Sequence, residues 1–105
     1  MGQNRRPQPQ FLPYKLLEIR RRLDLSQEQM AEQLKDVPSP PQPALISRFE
    51  QGKREPSLLI LLAYARIAGV PMEVLVDDEL DLPKYLPSVR GSEWVMKRVR
   101  TSRSR

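Results

Sequence analysis

The side chains best placed to do chemistry sit in one short run, ALISRFEQG at residues 44–52, where Ser47, Arg48 and Gln51 offer hydrogen-bonding groups. Leu45, Ile46 and Phe49 recur there at the three- and four-residue spacing of a buried helix stripe, which leaves those three polar residues on the outer side. This is equipment for non-covalent recognition, not for bond making. The chain contains no histidine and no cysteine, which removes the usual general base, the usual nucleophile partner and the commonest zinc ligands. It also lacks a glycine-rich phosphate loop, and its carboxylates fall on helix surfaces or in one acidic segment, so no catalytic site assembles. The expectation is a binding protein with no enzymatic activity, no cofactor and no metal.

Two local elements must position the outer face. Upstream, SQEQMAEQL opens with Ser26 and, three residues later, Gln29, the spacing at which a cap hydroxyl and a returning side chain satisfy each other's backbone donors. Met30, Ala31 and Leu34 then form a narrow buried stripe, with Gln27, Glu28 and Gln33 outside, so a helix is expected over about 27–34. A further helix is expected over about 43–51, with Gln42 as its cap and Gly52 able to turn left-handed and end it. Two short capped helices in tandem look like a DNA-reading device.

The other elements follow from composition and period. Residues 1–12, MGQNRRPQPQFL, are polar and proline-containing, the composition of a disordered arm. Pro13 suits a first helical position. From Tyr14, the apolar Leu16, Leu17, Ile19 and Leu23 are set among Lys15, Glu18, Arg20, Arg21 and Arg22 as an amphipathic helix ending near Asp24. Between the two short helices, KDVPSPPQPA carries Pro38, Pro40, Pro41 and Pro43, and no helix passes through it. It reads as a stiff connector whose last proline starts the next helix, in preference to a polyproline ligand for a partner domain. Ser57 can cap a fourth helix, LLILLAYARIAG, apolar on nearly every side and therefore the buried spine, with Gly69 ending it. Pro71 opens a short fifth helix whose Met72, Val74, Leu75 and Val76 close the core. The fold class is all-α: five helices over residues 13–76, a flexible N-terminal arm, and a C-terminal extension over 77–105.

A chain of 105 residues has room for one small domain. Its formal charge of +5 is unevenly placed: residues 84–105 carry about +6 and residues 73–81 about −5. The domain from Pro13 to Val70 is only mildly basic, so local clusters and the tail supply the positive field. The absence of cysteine fits a reducing compartment. Residues 1–12 lack the charged-then-apolar pattern expected of a leader, and no apolar run approaches about 18 residues. A soluble, cytoplasmic, nucleoid-associated protein is expected, neither exported nor membrane-spanning.

SQEQMAEQL followed by ISRFEQGKREPSLLILLAYARIAGV closely resembles the lambda-repressor-like, Cro/C1-type (XRE-family) helix-turn-helix proteins, over about residues 13–76. The specific parts are the Ser-Gln opening of the second helix, Ala31 within it, the Ile-Ser-Arg-aromatic-Glu-x-Gly run at 46–52, and the Pro-Ser-Leu opening of the fourth helix. The resemblance implies that the second helix crosses the DNA backbone while the third enters the major groove. It implies a phosphate contact for Gln27 at the head of the second helix, and base-edge positions for Gln42, Ala44, Ser47 and Arg48. Among these, the Arg48 fork can pair with the O6 and N7 of guanine. Lys53 and Arg54 would meet phosphates. Arg20 and Glu50 match a pair that forms an ion bridge in the family and locks the reading helix to its scaffold. One departure is large: the joint between the second and third helices is about five residues longer than the family's tight turn. Pro43 stands where the family commonly presents a polar reader, so Ser47 and Arg48, a turn further in, carry over more securely than Gln42 and Ala44. The insertion is expected to bulge outward rather than touch DNA.

The function these residues imply is a sequence-specific DNA-binding transcriptional regulator of prokaryotic or phage type. It would bind double-stranded DNA as a homodimer on a palindrome, with the fifth helix and residues 77–87 as the nearest dimer contact. The alternative is an antitoxin or adaptor-type protein-interaction module on the same fold, with the acidic segment and the tail as partner surfaces. The tail, RGSEWVMKRVR, sets Trp94, Val95 and Val99 among Lys97, Arg98 and Arg100. That pattern suits a short basic helix gripping DNA, a membrane surface or a partner, a disordered tail, or a segment that folds back on residues 73–81 and competes with DNA.

Overall fold

Local hydrogen bonding sets where each helix starts and stops. The computed structural model describes residues 7–87, and within them the chain forms α1 (Leu12–Arg22), α2 (Gln27–Gln33), α3 (Pro43–Glu50), α4 (Leu58–Ala68) and α5 (Met72–Val76), with no strand. At α2 the Ser26 hydroxyl accepts from the Gln29 amide at 3.0 Å, and the Gln29 side chain accepts from the Ser26 amide at 2.8 Å. Ser57 caps α4 through the Ile60 amide at 3.3 Å. Gln42 holds the cap position of α3, but its side chain makes no capping bond; Pro43, with no amide to satisfy, starts the helix instead.

Two helices end on a left-handed glycine, Gly52 (φ 76°) and Gly69 (φ 82°). At α3 the Gly52 amide donates to the Phe49 carbonyl at 3.1 Å and the Lys53 amide to the Arg48 carbonyl at 2.9 Å, which satisfies two of the last turn's orphan acceptors. Asp24 (φ 60°) does the same for α1, with the Leu25 amide on the Arg20 carbonyl at 3.1 Å.

The helices enclose one core of Leu16, Ile19, Met30, Leu34, Ile46, Phe49, Ile60, Leu61, Tyr64, Ala65, Ala68 and Leu75. Burial on α4 is narrower than its composition predicts. Ile60, Leu61, Tyr64, Ala65 and Ala68 face inward at helical spacing, while Leu58 and Leu59 in the first turn stay 71% and 50% exposed. On α5 only Leu75 is fully buried; Met72 and Val74 pack against the core and Val76 remains exposed. The proline-rich joint is anchored by half-buried Val37 and buried Pro41, with Pro38, Ser39 and Pro40 exposed between them. It loops out and returns, so α3 still packs on α2.

The packed body is wider than residues 13–76 at both ends. Leu12 is buried inside α1, and just before it the amides of Gln10 and Phe11 donate to the two Asp78 carboxylate oxygens at 2.8 and 3.0 Å. Asp78 thus pins the residues just ahead of α1 from 67 residues away, whereas the first turn of α1 itself carries no side-chain cap. Lys15, only 2% exposed, sends its ammonium to the carbonyls of Val74, Asp77 and Leu80 at 2.8, 3.0 and 2.7 Å. Arg22 donates to the Pro83 carbonyl at 2.7 Å, and Leu86 is buried. The segment from Asp77 to Leu86 is irregular, yet it is docked along α1. The disordered arm expected over residues 1–12 does not extend through Gln10, Phe11 and Leu12, which are tied to this body, and residues 1–6 lie outside the described residues.

The Asp78 tie has a pH signature. Its two amide bonds hold the carboxyl below the usual carboxylate range. A depressed folded pKa stabilises above the unfolded value of about 3.9 and is lost as pH falls through the lower folded value. The amide chemical shifts of Gln10 and Phe11 are therefore expected to titrate together with a midpoint below about pH 3.9, and Asp78→Asn should abolish that titration. A midpoint at or above the ordinary carboxylate value contradicts the tie.

Candidate nucleic-acid interface

Helix α3 buries Ile46 and Phe49, and the same geometry turns Ala44, Ser47, Arg48 and Gln51 into an outward stripe. Arg48 is exposed and its guanidinium has no partner among the described residues. Ser47 is half-buried, and its hydroxyl accepts from the Gln51 side-chain amide at 2.9 Å. Gln42 is exposed one residue ahead of the helix. Immediately past Gly52, Lys53 and Arg54 are both exposed, and both their amides bond the Arg48 carbonyl, at 2.9 and 3.4 Å. That turn holds two cations at the end of the stripe. Gly52 is required by its left-handed φ, while a Cβ there would make only an ordinary van der Waals contact with the Pro13 ring at 3.4 Å, so the start of α1 abuts this corner.

What orients the stripe is a buried polar junction under α3. Glu50 accepts two parallel bonds from Arg20, Nε at 2.6 Å and Nη2 at 2.9 Å, with the two side chains only 16% (Arg20) and 6% (Glu50) exposed. Arg20 spends Nη1 on the Leu25 carbonyl at 3.0 Å, and Gln27 donates its side-chain amide to Glu50 at 3.1 Å. One carboxylate therefore ties α1, α2 and α3 together. The hydrogen bonds that Arg20 donates to Glu50, partly opposed by desolvation, raise the Arg20 pKa further and keep it charged. Burial, with Glu50 adding to it and Arg20 opposing it, pushes the Tyr64 phenol well above its ordinary value, so it stays neutral. The Tyr64 hydroxyl is buried with no hydrogen-bond partner among the described residues.

The structure thus brings together Arg20 and Glu50, and sets Ala44, Ser47 and Arg48 on one face with Lys53 and Arg54 at its end. Gln27 differs from the role the resemblance implies, since its side chain is committed inward to Glu50 rather than offered to a phosphate. Two members of the arrangement escape sequence reasoning. One is Gln27 as part of the junction, for which a separation of 23 residues leaves no local signal. The other is Gln51 as the partner of Ser47, which the four-residue spacing does make readable. Lys97, Arg98 and Arg100 of the tail lie outside the described residues.

A family model described as helix-turn-helix matches residues 16–75. The chain belongs to the Cro/C1-type helix-turn-helix family. The matched segment of this helix-turn-helix protein runs from Leu16 in α1 to Leu75 in α5, and so contains the whole outward stripe and the Arg20–Glu50–Gln27 junction. Lys15 and Asp78, which dock the extension, fall just outside it. Its five-helix body is the all-α, lambda-repressor-like fold, and the family is a DNA-binding one, which makes DNA its partner. Comparison with curated proteins gave no match, and neither did comparison with solved structures. Among the described residues no helix is long and apolar enough to cross a membrane.

Proposed function

We propose that this helix-turn-helix protein is a sequence-specific transcriptional regulator that places α3 in the major groove, with no catalytic activity of its own. The observation that carries the reading is the outward stripe of α3 with an uncommitted Arg48, flanked by Lys53 and Arg54 and held by a buried junction. Arg48 reads guanine through a paired contact to O6 and N7; Ala44, Ser47 and the exposed Gln42 line the same groove. Lys53 and Arg54 take phosphates and set the register. A single small module offers limited specificity, so the working form is a homodimer on a palindrome, with α5 and the docked extension, where Val76 and Tyr85 are exposed, as its contact. The functional unit is the body from Gln10 to Leu86, acting in the cytoplasm on the nucleoid. Lys97, Arg98 and Arg100 add sequence-independent grip.

Selection from a random DNA pool at moderate salt tests this. An enriched motif containing guanine is expected. Arg48→Ala should weaken binding to that motif about 10- to 100-fold, a loss of about 1–3 kcal/mol, and relax the preference at one guanine. Binding to unrelated DNA at low salt should barely change. A wild-type pool with no enriched motif rules the reading out.

A further inference from the structure

We infer that Gln51 is a positioning residue for base reading, which sets the Ser47 hydroxyl as a hydrogen-bond donor toward the groove. The inference rests on α3 being the reading helix and says what one of its positions reads.

A serine hydroxyl has one proton and two lone pairs, so left alone it can meet either a donor or an acceptor on a base edge. Here it is not left alone. The Gln51 amide donates to Ser47 Oγ at 2.9 Å, and the Gln51 backbone amide also returns to the Ser47 carbonyl at 3.1 Å, so the two residues are joined by side chain and main chain. One lone pair of the hydroxyl is thereby occupied, while its own proton finds no acceptor among the described residues. Accepting a hydrogen bond polarises the O–H and makes it a better donor. The pair stands on the outward stripe, with Arg48 beside it.

The chemistry of the ligand follows. In the major groove, guanine presents N7 and O6, adenine N7 and thymine O4 as acceptors, whereas cytosine presents the N4 amine as a donor. A hydroxyl that already accepts one bond donates more strongly and accepts a second bond less well, so it favours the first three over the last, which can reach only its remaining lone pair. At the base beneath Ser47, cytosine is expected to be disfavoured about tenfold on the contacted strand.

The experiment is sequence selection with the full chain and four variants, alongside thermal unfolding. Gln51→Leu frees the hydroxyl, and discrimination against cytosine should fall to about twofold or less. Gln51→Glu replaces the donating amide by an acceptor that draws the Ser47 proton inward and leaves a lone pair facing the groove. At this position cytosine should then become the preferred base, even though overall affinity drops from added negative charge. Ser47→Ala should erase the preference, and adding Gln51→Glu to it should restore none. Unfolding temperatures should hardly move, because Gln51 is exposed. The inference is overturned if Gln51→Glu keeps the discrimination against cytosine, or if the Gln51 variants alter a different base position, which would make Gln51 a direct reader. A wild-type motif with unchanged Gln51 variants overturns this inference alone; a wild-type pool without any motif overturns the base-reading role of α3 and this inference with it.

Discussion

Arg20→Met is expected to cost about 3–5 kcal/mol of folding stability, enough to leave a small domain substantially unfolded at physiological temperature. The guanidinium supplies two of the three donors on Glu50 and also satisfies the Leu25 carbonyl. Its removal strands a carboxylate whose side chain is only 6% exposed. Breaking one side of such a pair costs far more than the pair contributes, because the surviving charge has lost its water and its partner together. Arg20→Lys should rescue little, since a single ammonium cannot reach two carboxylate oxygens and the Leu25 carbonyl in one plane. The double change Arg20→Met with Glu50→Met should be much milder than the single one, the residual cost being the Gln27 amide left without its acceptor and the Leu25 carbonyl left without its donor. Urea unfolding of the three variants measures this. DNA binding should disappear in Arg20→Met in step with the folded fraction, which marks the arginine as scaffold and separates it from Arg48. An unfolding midpoint equal to wild type would show that the junction carries no such load.

Lys15→Met is the second large effect, expected at about 2–4 kcal/mol. Methionine keeps the apolar stem in place but leaves the carbonyls of Val74, Asp77 and Leu80 without their common donor. Those carbonyls can recover water only if the segment after α5 lifts from α1, which also exposes Leu86 and loosens the Asp78 bonds to Gln10 and Phe11. The expected result is a lowered unfolding temperature together with rapid proteolysis between Asp77 and Pro87 below it. Lys15→Arg should not restore the clamp, because three carbonyls converging on one nitrogen suit a compact ammonium and not a planar fork. Unlike Arg20→Met, the Lys15→Met variant should keep α3 and its junction folded at permissive temperature and so still bind DNA, but more weakly than wild type because the loosened extension is the proposed dimer contact. Protease resistance equal to wild type across residues 77–87 would refute the docking role.

The readable parts of the fold are those whose cause lies within a few residues. Ser26 with Gln29, Ser57 ahead of Leu58, and Gly52 and Gly69 after their apolar stripes each satisfy backbone groups three to six residues away, so residue type and spacing carry the information. The Ile46–Phe49 stripe likewise declares which side of α3 faces out. The exposed leucines of α4 show the limit. Composition marks the whole helix as apolar, but burial depends on which neighbours reach its first turn.

The candidate site divides the same way. The order and types of Ser47, Arg48, Gln51, Lys53 and Arg54 were set by the sequence itself, because helical period and a left-handed glycine are local properties. Tertiary structure alone decided that Gln27 turns inward to Glu50, that Lys15 is a buried clamp and not a surface charge, and that Asp78 pins the residues ahead of α1 from the other end of the described chain. All three have partners far away in sequence, and for Lys15 and Asp78 the ambiguity is greater still. Their partners are backbone carbonyls and backbone amides, and a backbone group has the same signature at every position in a sequence; only packing α1 against α5 and the extension chooses which of them a lysine or an aspartate will meet.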